Sequence, residues 1–258
     1  MAKYKLLTKK EPEKKLLISL PRKSGRGFGG RITVRHRGGG VKRLYRLVDF
    51  GQEKQGQVAK VVALEYDPYR TAFLMLLEYK DGQKSYQLAP HGIKIGDEII
   101  CQETAEIKIG NRMKLKNIPV GATVYNVELI PQRGGQLVKA AGTGANVLAH
   151  EGKYTNLALP SGEVRRVLGE CFASIGQVSH PEKRFEKIGK AGLRRLKGWR
   201  PTVRGKAMIP ASHPHGGGKG KAPIGLKHPK TPSGKPALGV KTRKRKWTDK
   251  YILKRRKS

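Results

Sequence analysis

The chain has 258 residues, of which 55 are Lys or Arg and 19 are Asp or Glu, giving a formal net charge of +36. That length holds one large domain or two small ones, and a folded chain with this excess repels itself unless a polyanion neutralises it. No run approaches the ~20 apolar residues of a membrane-spanning helix, and the stretch 16–20 is too short for a secretory signal core. Cys101 and Cys171 stand far apart with no CxxC pair, which argues against a zinc ribbon and reads as two small buried hydrophobes in a reducing compartment.

The charge is uneven. Residues 1–49 carry a net +12, residues 50–180 a net +2 and residues 181–258 a net +22. In chain order, a basic N-terminal extension (1–56) is expected first. Residues 22–46 hold nine Lys or Arg and no acid, interleaved with glycine. The nearly neutral middle reads as all-β. Strands are predicted over 58–66, 73–79, 85–88 and 98–101 and near Ile107, with Asp67-Pro68 and Asp81-Gly82 as turns. A break at 118–121 separates a first small barrel (57–120) from a second (121–198). The second takes strands over 123–130, 136–139, 154–159, 163–168 and 171–178, then a short helix near 190–197. Residues 199–258 form a basic Gly/Pro-rich C-terminal extension. Neither end carries enough apolar surface to offset its own ordering entropy.

The basic ends suit RNA. Lys and Arg release condensed counterions on meeting phosphates, arginine adds a planar fork, and glycine lets backbone N–H groups approach a phosphate. Arg31, Arg35, His36, Arg37, Lys42, Arg43 and Arg46 combine these features, and Trp199 beside Arg200 offers a stacking ring. Isolated apolar residues such as Ile32, Val34, Ile209 and Ile224 distinguish both ends from a polylysine tail and point to one bound path.

Enzyme readings fit less well. His213 and His215, with His228, suggest a metal site, but no Cys, Asp or Glu lies nearby in sequence to complete it. Gly220-Lys221 lacks the first glycine and the final Ser/Thr of a phosphate loop. Residues 25–29 lack the spacing and the βαβ setting of a dinucleotide fingerprint. An RNA-modifying enzyme on a barrel would need convergent acids that the sequence does not offer. A DNA-compacting nucleoprotein would prefer duplex DNA to structured RNA.

Several motifs in fixed order carry a resemblance. They are GRITVRHRGGG at 30–40 with KRLYR at 42–46, LKNIPVG at 115–121, AGT at 141–143, EGKY at 151–154, LPSGEVR at 159–165, IGKAG at 188–192, RPTVRG at 200–205 and HPHGGG at 213–218. The chain resembles the family of the second large-subunit ribosomal protein, and HPH in place of HPF marks the bacterial or organellar type. The resemblance implies an OB-like barrel, then an SH3-like barrel, with long RNA-bound extensions. It implies binding to large-subunit rRNA beside the peptidyl transferase centre, with support for subunit association, tRNA binding and peptide-bond formation. The protein is then not the catalyst and holds no cofactor or metal of its own, Mg2+ being associated with the rRNA.

The partners implied are large-subunit rRNA, other ribosomal proteins and small-subunit rRNA at an intersubunit bridge, with no membrane. The location implied is the cytoplasmic ribosome, or alternatively an organellar one. Candidate rRNA contacts extend to Arg194, Arg195, Lys197, Arg204, His213, His215, Lys219, Lys221, Lys241, Arg243, Lys244, Arg245 and Lys246. A histidine of the HPHGGG loop, matching His213 or His215, is expected to hydrogen-bond or stack with rRNA rather than move a proton, and alone the loop is expected to have no fold. The chain departs from the family at Met208-Ile209-Pro210-Ala211-Ser212, where the usual Asn and Asp are absent, and at Lys219, where an acid usually follows the glycines.

Overall fold

Short antiparallel strands build the architecture of this computed structural model, which describes residues 4, 6–8, 11–51, 54–219, 222–241, 243–244 and 246–256. In chain order they are β1 (Leu17–Ser19), β2 (Leu44–Arg46), β3 (Val58–Tyr66), β4 (Phe73–Tyr79), β5 (Lys84–Leu88), β6 (Glu98–Ile100), β7 (Arg112–Lys114), β8 (Thr123–Tyr125), β9 (Ala145–Glu151), β10 (Tyr154–Ala158), β11 (Val164–Leu168), β12 (Phe172–Ile175) and β13 (Ile252–Lys254). The α-helix α1 spans Ala191–Leu196. The chain divides into two compact units: residues 1–20, 42–187 and 248–258, and residues 21–41 and 188–247.

The first unit holds all the sheets. One has the order β5-β4-β3-β6, a second has the order β13-β11-β10-β9-β8-β12-β7, and β1 pairs with β2 alone. β4 reads as an apolar run from Phe73 to Leu77 because both its faces are covered there. Phe73, Met75 and Leu77 enter one core with Val61 and Ile99, while Leu74 and Leu76 enter another with Tyr86, Leu88, Tyr125 and Val178. A third core gathers Met113, Leu115, Val124, Val147, Leu157, Val167 and Ala173 under the seven-stranded sheet. A fully buried Val, Leu, Ile, Phe or Met among these contributes about 1.5–3 kcal/mol. The fold is all-β, and it fits an OB-like barrel followed by an SH3-like barrel.

One buried ion pair pins the second sheet. Arg112 donates to Glu128 at 2.9 Å, to the Asn126 carbonyl at 2.7 Å and to the Ser174 hydroxyl at 3.3 Å. The second Glu128 oxygen accepts the backbone N–H groups of Phe172 and Gln132. Burial pushes the Cys101 thiol up to about 11 and the Cys171 thiol up to about 12; Cys171 is buried as expected, whereas Cys101 is half-buried and donates its thiol to the Gly51 carbonyl at 3.2 Å.

Several sequence expectations need correction. The Ile107 region forms bends instead of a strand, and the strand begins at Arg112. The run predicted over 123–130 ends at Tyr125, because Asn126 adopts a left-handed backbone with φ 50°. Residues 136–139 contribute a single bridge, Leu137 to Val127. β9, the longest strand of its sheet, was not predicted. Both basic ends also supply strands to the first unit: β1 and β2 pair from Leu17↔Arg46 to Ser19↔Leu44, and β13 adds to the edge of β11. A net count of apolar residues over the whole end overlooks the local runs at Leu16–Leu20 and Tyr251–Leu253 that make these pairings.

Candidate nucleic-acid interface

The second unit contains 23 Lys and Arg and no Asp or Glu in its 81 residues, so every side-chain carboxylate of the chain lies in the first unit. A fold without carboxylates cannot neutralise itself by ion pairs. Its cations turn to backbone carbonyls and ring faces instead. Arg22 donates to the Gly40 carbonyl and Arg26 to the Gly30 carbonyl, each at 2.9 Å. His36 Nδ1 lies 3.0 Å from the Pro201 carbonyl, which makes that nitrogen the protonated one.

Two segments distant in sequence are laced together here. Gly38 N–H donates to Gly198 O, Val41 N–H to Leu196 O and Arg200 N–H to His36 O, each at 3.0 Å. Arg37 and Trp199 form a β-bridge between these bonds. The Arg37 guanidinium sits 3.5 Å from the centre of the Trp199 ring, with Arg194 at 5.7 Å. Glycine is required at position 40: its φ is 88°, and a Cβ there would lie 2.9 Å from both Gly198 N and Leu196 O.

The HPHGGG loop is closed by hydrogen bonds within the chain, some of them to Met208 and Lys230, where the sequence led us to expect no fold for the loop alone. His215 N–H donates to His213 Nδ1 at 3.0 Å, Lys230 N–H donates to His215 Nε2 at 2.8 Å, and the two rings lie 4.7 Å apart. Gly216 N–H returns to His213 O and Gly217 N–H to Met208 O. The His213 ring is 7% exposed and packs where a side chain at residue 205 would be, since a Cβ on Gly205 would fall 2.6 Å from it. Loss of solvent lowers the His213 pKa, and the neighbouring His215 and Arg35 lower it further. A ring nitrogen that accepts a backbone N–H must be unprotonated, so both imidazoles serve as acceptors that close the loop.

Most candidate contacts stand at the surface. Arg31, Arg35, Arg37, Arg194, Arg195, Lys197, Trp199, Arg200, Arg204, Lys219, Lys241, Arg243, Lys244 and Lys246 are exposed in the second unit, while His36 and His215 are half-buried. Lys42, Arg43 and Arg46 belong to the first unit. Arg43 lies over the Tyr69 ring at 4.5 Å. Arg46 is buried, 9% exposed, and donates to the Leu44 carbonyl. Lys221 and Arg245 lie outside the described residues. The Trp199 ring offers less for stacking than its sequence neighbourhood suggests, because Arg37 occupies one of its faces. Among the described residues no three His, Cys, Asp or Glu side chains converge as metal ligands. Arg22, Arg26 and Phe28 join the surface although the sequence reading did not select them; their only signal is their place among the glycines of 25–30.

Comparison with protein families gives two matches. Residues 13–101 match the family model described as Ribosomal Proteins L2, RNA binding N-terminal domain, and residues 108–234 match that described as Ribosomal Proteins L2, C-terminal domain. The carboxylate-free unit therefore draws one strand of its lacing from each matched region. Together the matches cover most of the chain, in order and without overlap, and the chain belongs to the ribosomal protein L2 family.

Proposed function

We propose that this protein is a structural, rRNA-binding constituent of the large ribosomal subunit whose second unit lies along rRNA near the peptidyl transferase centre. There it supports subunit association, tRNA binding and peptide-bond formation without contributing a catalytic group. The observation that carries this reading is the unit with 23 cations and no carboxylate, folded along a defined hydrogen-bonded path. Such a unit is electrostatically incomplete alone, and neutralisation by phosphates with counterion release completes it. Its fixed glycine-rich backbone adds shape, which is how structured RNA is recognised.

The role of His213 and His215 follows from their bonds. Each ring uses an acceptor nitrogen to hold the loop, which favours a positioning role over proton transfer. Mg2+ at the interface belongs to the rRNA in this reading, and the protein holds no cofactor. Neighbouring ribosomal proteins and small-subunit rRNA at an intersubunit bridge are further partners, in a cytoplasmic or organellar ribosome. The division at 57–120 and 121–198 into barrels, between extensions at 1–56 and 199–258, is kept as the proposed domain plan.

Sedimentation of cell lysate through sucrose at low and high salt tests the proposal. Co-migration with the large subunit that survives high salt is the expected result. Release at modest salt, or migration away from ribosomes, would overturn it.

A further inference from the structure

Phe28 is the most exposed large apolar side chain in the described residues, at 105%. Single exposed hydrophobics are ordinary on protein surfaces, but this one sits at the tip of a closed loop. Gly27 N–H donates to Arg31 O, Gly30 N–H to Gly27 O, and the N–H groups of Thr33 and Val34 both donate to Gly25 O. The Thr33 hydroxyl adds a bond to Gly25 O, and Arg26 and Ile32 form a bridge across the base. Beyond chain neighbours, no heavy atom lies within 4 Å of where side chains on Gly29 or Gly30 would begin, so the tip is open beside the ring.

We propose that Phe28 is a stacking residue that takes an unpaired base of the RNA bound by the second unit; this rests on the rRNA-binding reading above. Charge selects the partner. The loop's charged residues are Arg26 and Arg31, and the unit around it holds no carboxylate. Shape selects the base. A protein partner would need a desolvated cluster of anchors within a ring of contacts, whereas a nucleobase needs only one π-face beside a cation. Phe28 stands at the tip, apart from the exposed Ile32 and Val34 at the base of the loop, and Arg26 and Arg31 flank it in sequence, which fits the second requirement better than the first. The tight loop keeps the ring on a fixed tip, which reduces the entropy lost on stacking.

The test compares the full-length protein with Phe28→Ala, Phe28→Leu and Phe28→Trp, each titrated with deproteinised large-subunit rRNA over a series of salt concentrations. F28A and F28L bind about 5- to 150-fold more weakly, the loss of one base–aromatic stack. F28W binds as the parent does. The slope of log K against log salt stays the same in all four, because every phosphate-binding cation is still in place. Ultraviolet cross-linking of the parent places a nucleotide on the peptide containing Phe28.

Parent-like binding by F28A and F28L overturns the inference, as does cross-linking that places nucleotides on other peptides of the protein and none on the peptide containing Phe28. Hydrogen exchange at the Thr33 and Val34 amides separates stacking from folding. Binding lost together with their protection means a structural role and also overturns it. If the parent itself does not bind rRNA, the broader reading fails; if it binds and the variants match it, only the stacking role fails.

Discussion

Arg37 lies over Trp199, its guanidinium 3.5 Å from the ring centre, across a β-bridge that joins residues 162 positions apart. The contact solves a problem posed by composition. With no carboxylate in the unit, an arginine close to the backbone of a second segment meets neutral acceptors and π-faces instead. The same device recurs at Arg22 and Arg26, which bond glycine carbonyls. A carboxylate partner would fix a cation just as well but would cancel the charge that attracts phosphate.

Replacing Trp199 by Ala removes that face. The cation–π contact contributes about 0.5–2 kcal/mol, so the lacing should loosen without unfolding the first unit. Hydrogen exchange checks this: the amides of Gly38 and Val41, bonded to Gly198 O and Leu196 O, lose protection in Trp199→Ala, while those of β3 and β4 keep theirs. Equal protection in both proteins would show that the backbone bonds hold without the ring.

Gly40→Ala attacks the same lacing from the backbone. Its φ of 88° and the 2.9 Å approach to Gly198 N and Leu196 O leave no room for a methyl group. Strain of about 1–3 kcal/mol is expected, read as faster limited proteolysis between residues 36 and 41. A Gly→Ala change at residue 56, where φ is 80° but nothing lies within 4 Å, should not expose that segment.

The buried pair in the first unit predicts a stability change instead. Glu128→Ala leaves the Arg112 guanidinium, 2% exposed, without its carboxylate. It also strips an acceptor from the N–H groups of Phe172 and Gln132. Breaking one partner of such a pair costs about 3–5 kcal/mol, measurable as a lower denaturant midpoint. Replacing Arg112 and Glu128 together with apolar residues of similar volume should cost less than the single change.

The histidine loop carries a pH dependence with a definite sign. Burial, His215 and Arg35 hold the folded-state pKa of His213 below its ordinary value. The unfolded loop therefore takes up protons first as pH falls. The stabilisation is fully present above the unfolded pKa and is lost as pH falls through the mid-6s toward the folded value. Protonation at Nδ1 also removes the acceptor for the His215 N–H. Protection of the His215 amide, corrected for intrinsic exchange, should decline from pH 7.5 to pH 5.5, and His213→Asn should flatten the profile. An unchanged profile in the parent would contradict this.

How much of this was legible in the sequence depended on how local the determinant was. β3 and β4 were read to the residue because long β-rich runs end at Asp67-Pro68 and Asp81-Gly82. β9 was missed because Ala-Asn-Val-Leu-Ala-His-Glu alternates only weakly; its strand character comes from β8 on one side and β10 on the other. The basic surface was legible as composition, since charge needs no partner to be counted. Its division was not. The grouping of 21–41 with 188–247, which leaves one unit free of acids, depends on hydrogen bonds between segments that no local pattern announces. The closed HPHGGG loop was illegible for the same reason, its bonds running to Met208 and Lys230.

Arg46 and the pair Arg195 and Lys197 look alike in sequence, as basic residues in basic segments, yet the fold separates them. Arg46 is 9% exposed in β2 and bonds the Leu44 carbonyl, while Arg195 and Lys197 stand exposed at the end of α1. A side chain held inside the fold releases no counterion on binding. Arg46→Ala should therefore lower the thermal stability of the first unit and leave the salt slope of rRNA binding unchanged. Arg195→Ala and Lys197→Ala should each weaken binding similarly across RNA sequences and reduce the slope by about 0.7–0.9 for each phosphate no longer neutralised. Titration of the three variants against large-subunit rRNA at several salt concentrations, with thermal melts beside them, separates the two classes. A slope change in Arg46→Ala without a stability change would return Arg46 to the phosphate-binding surface.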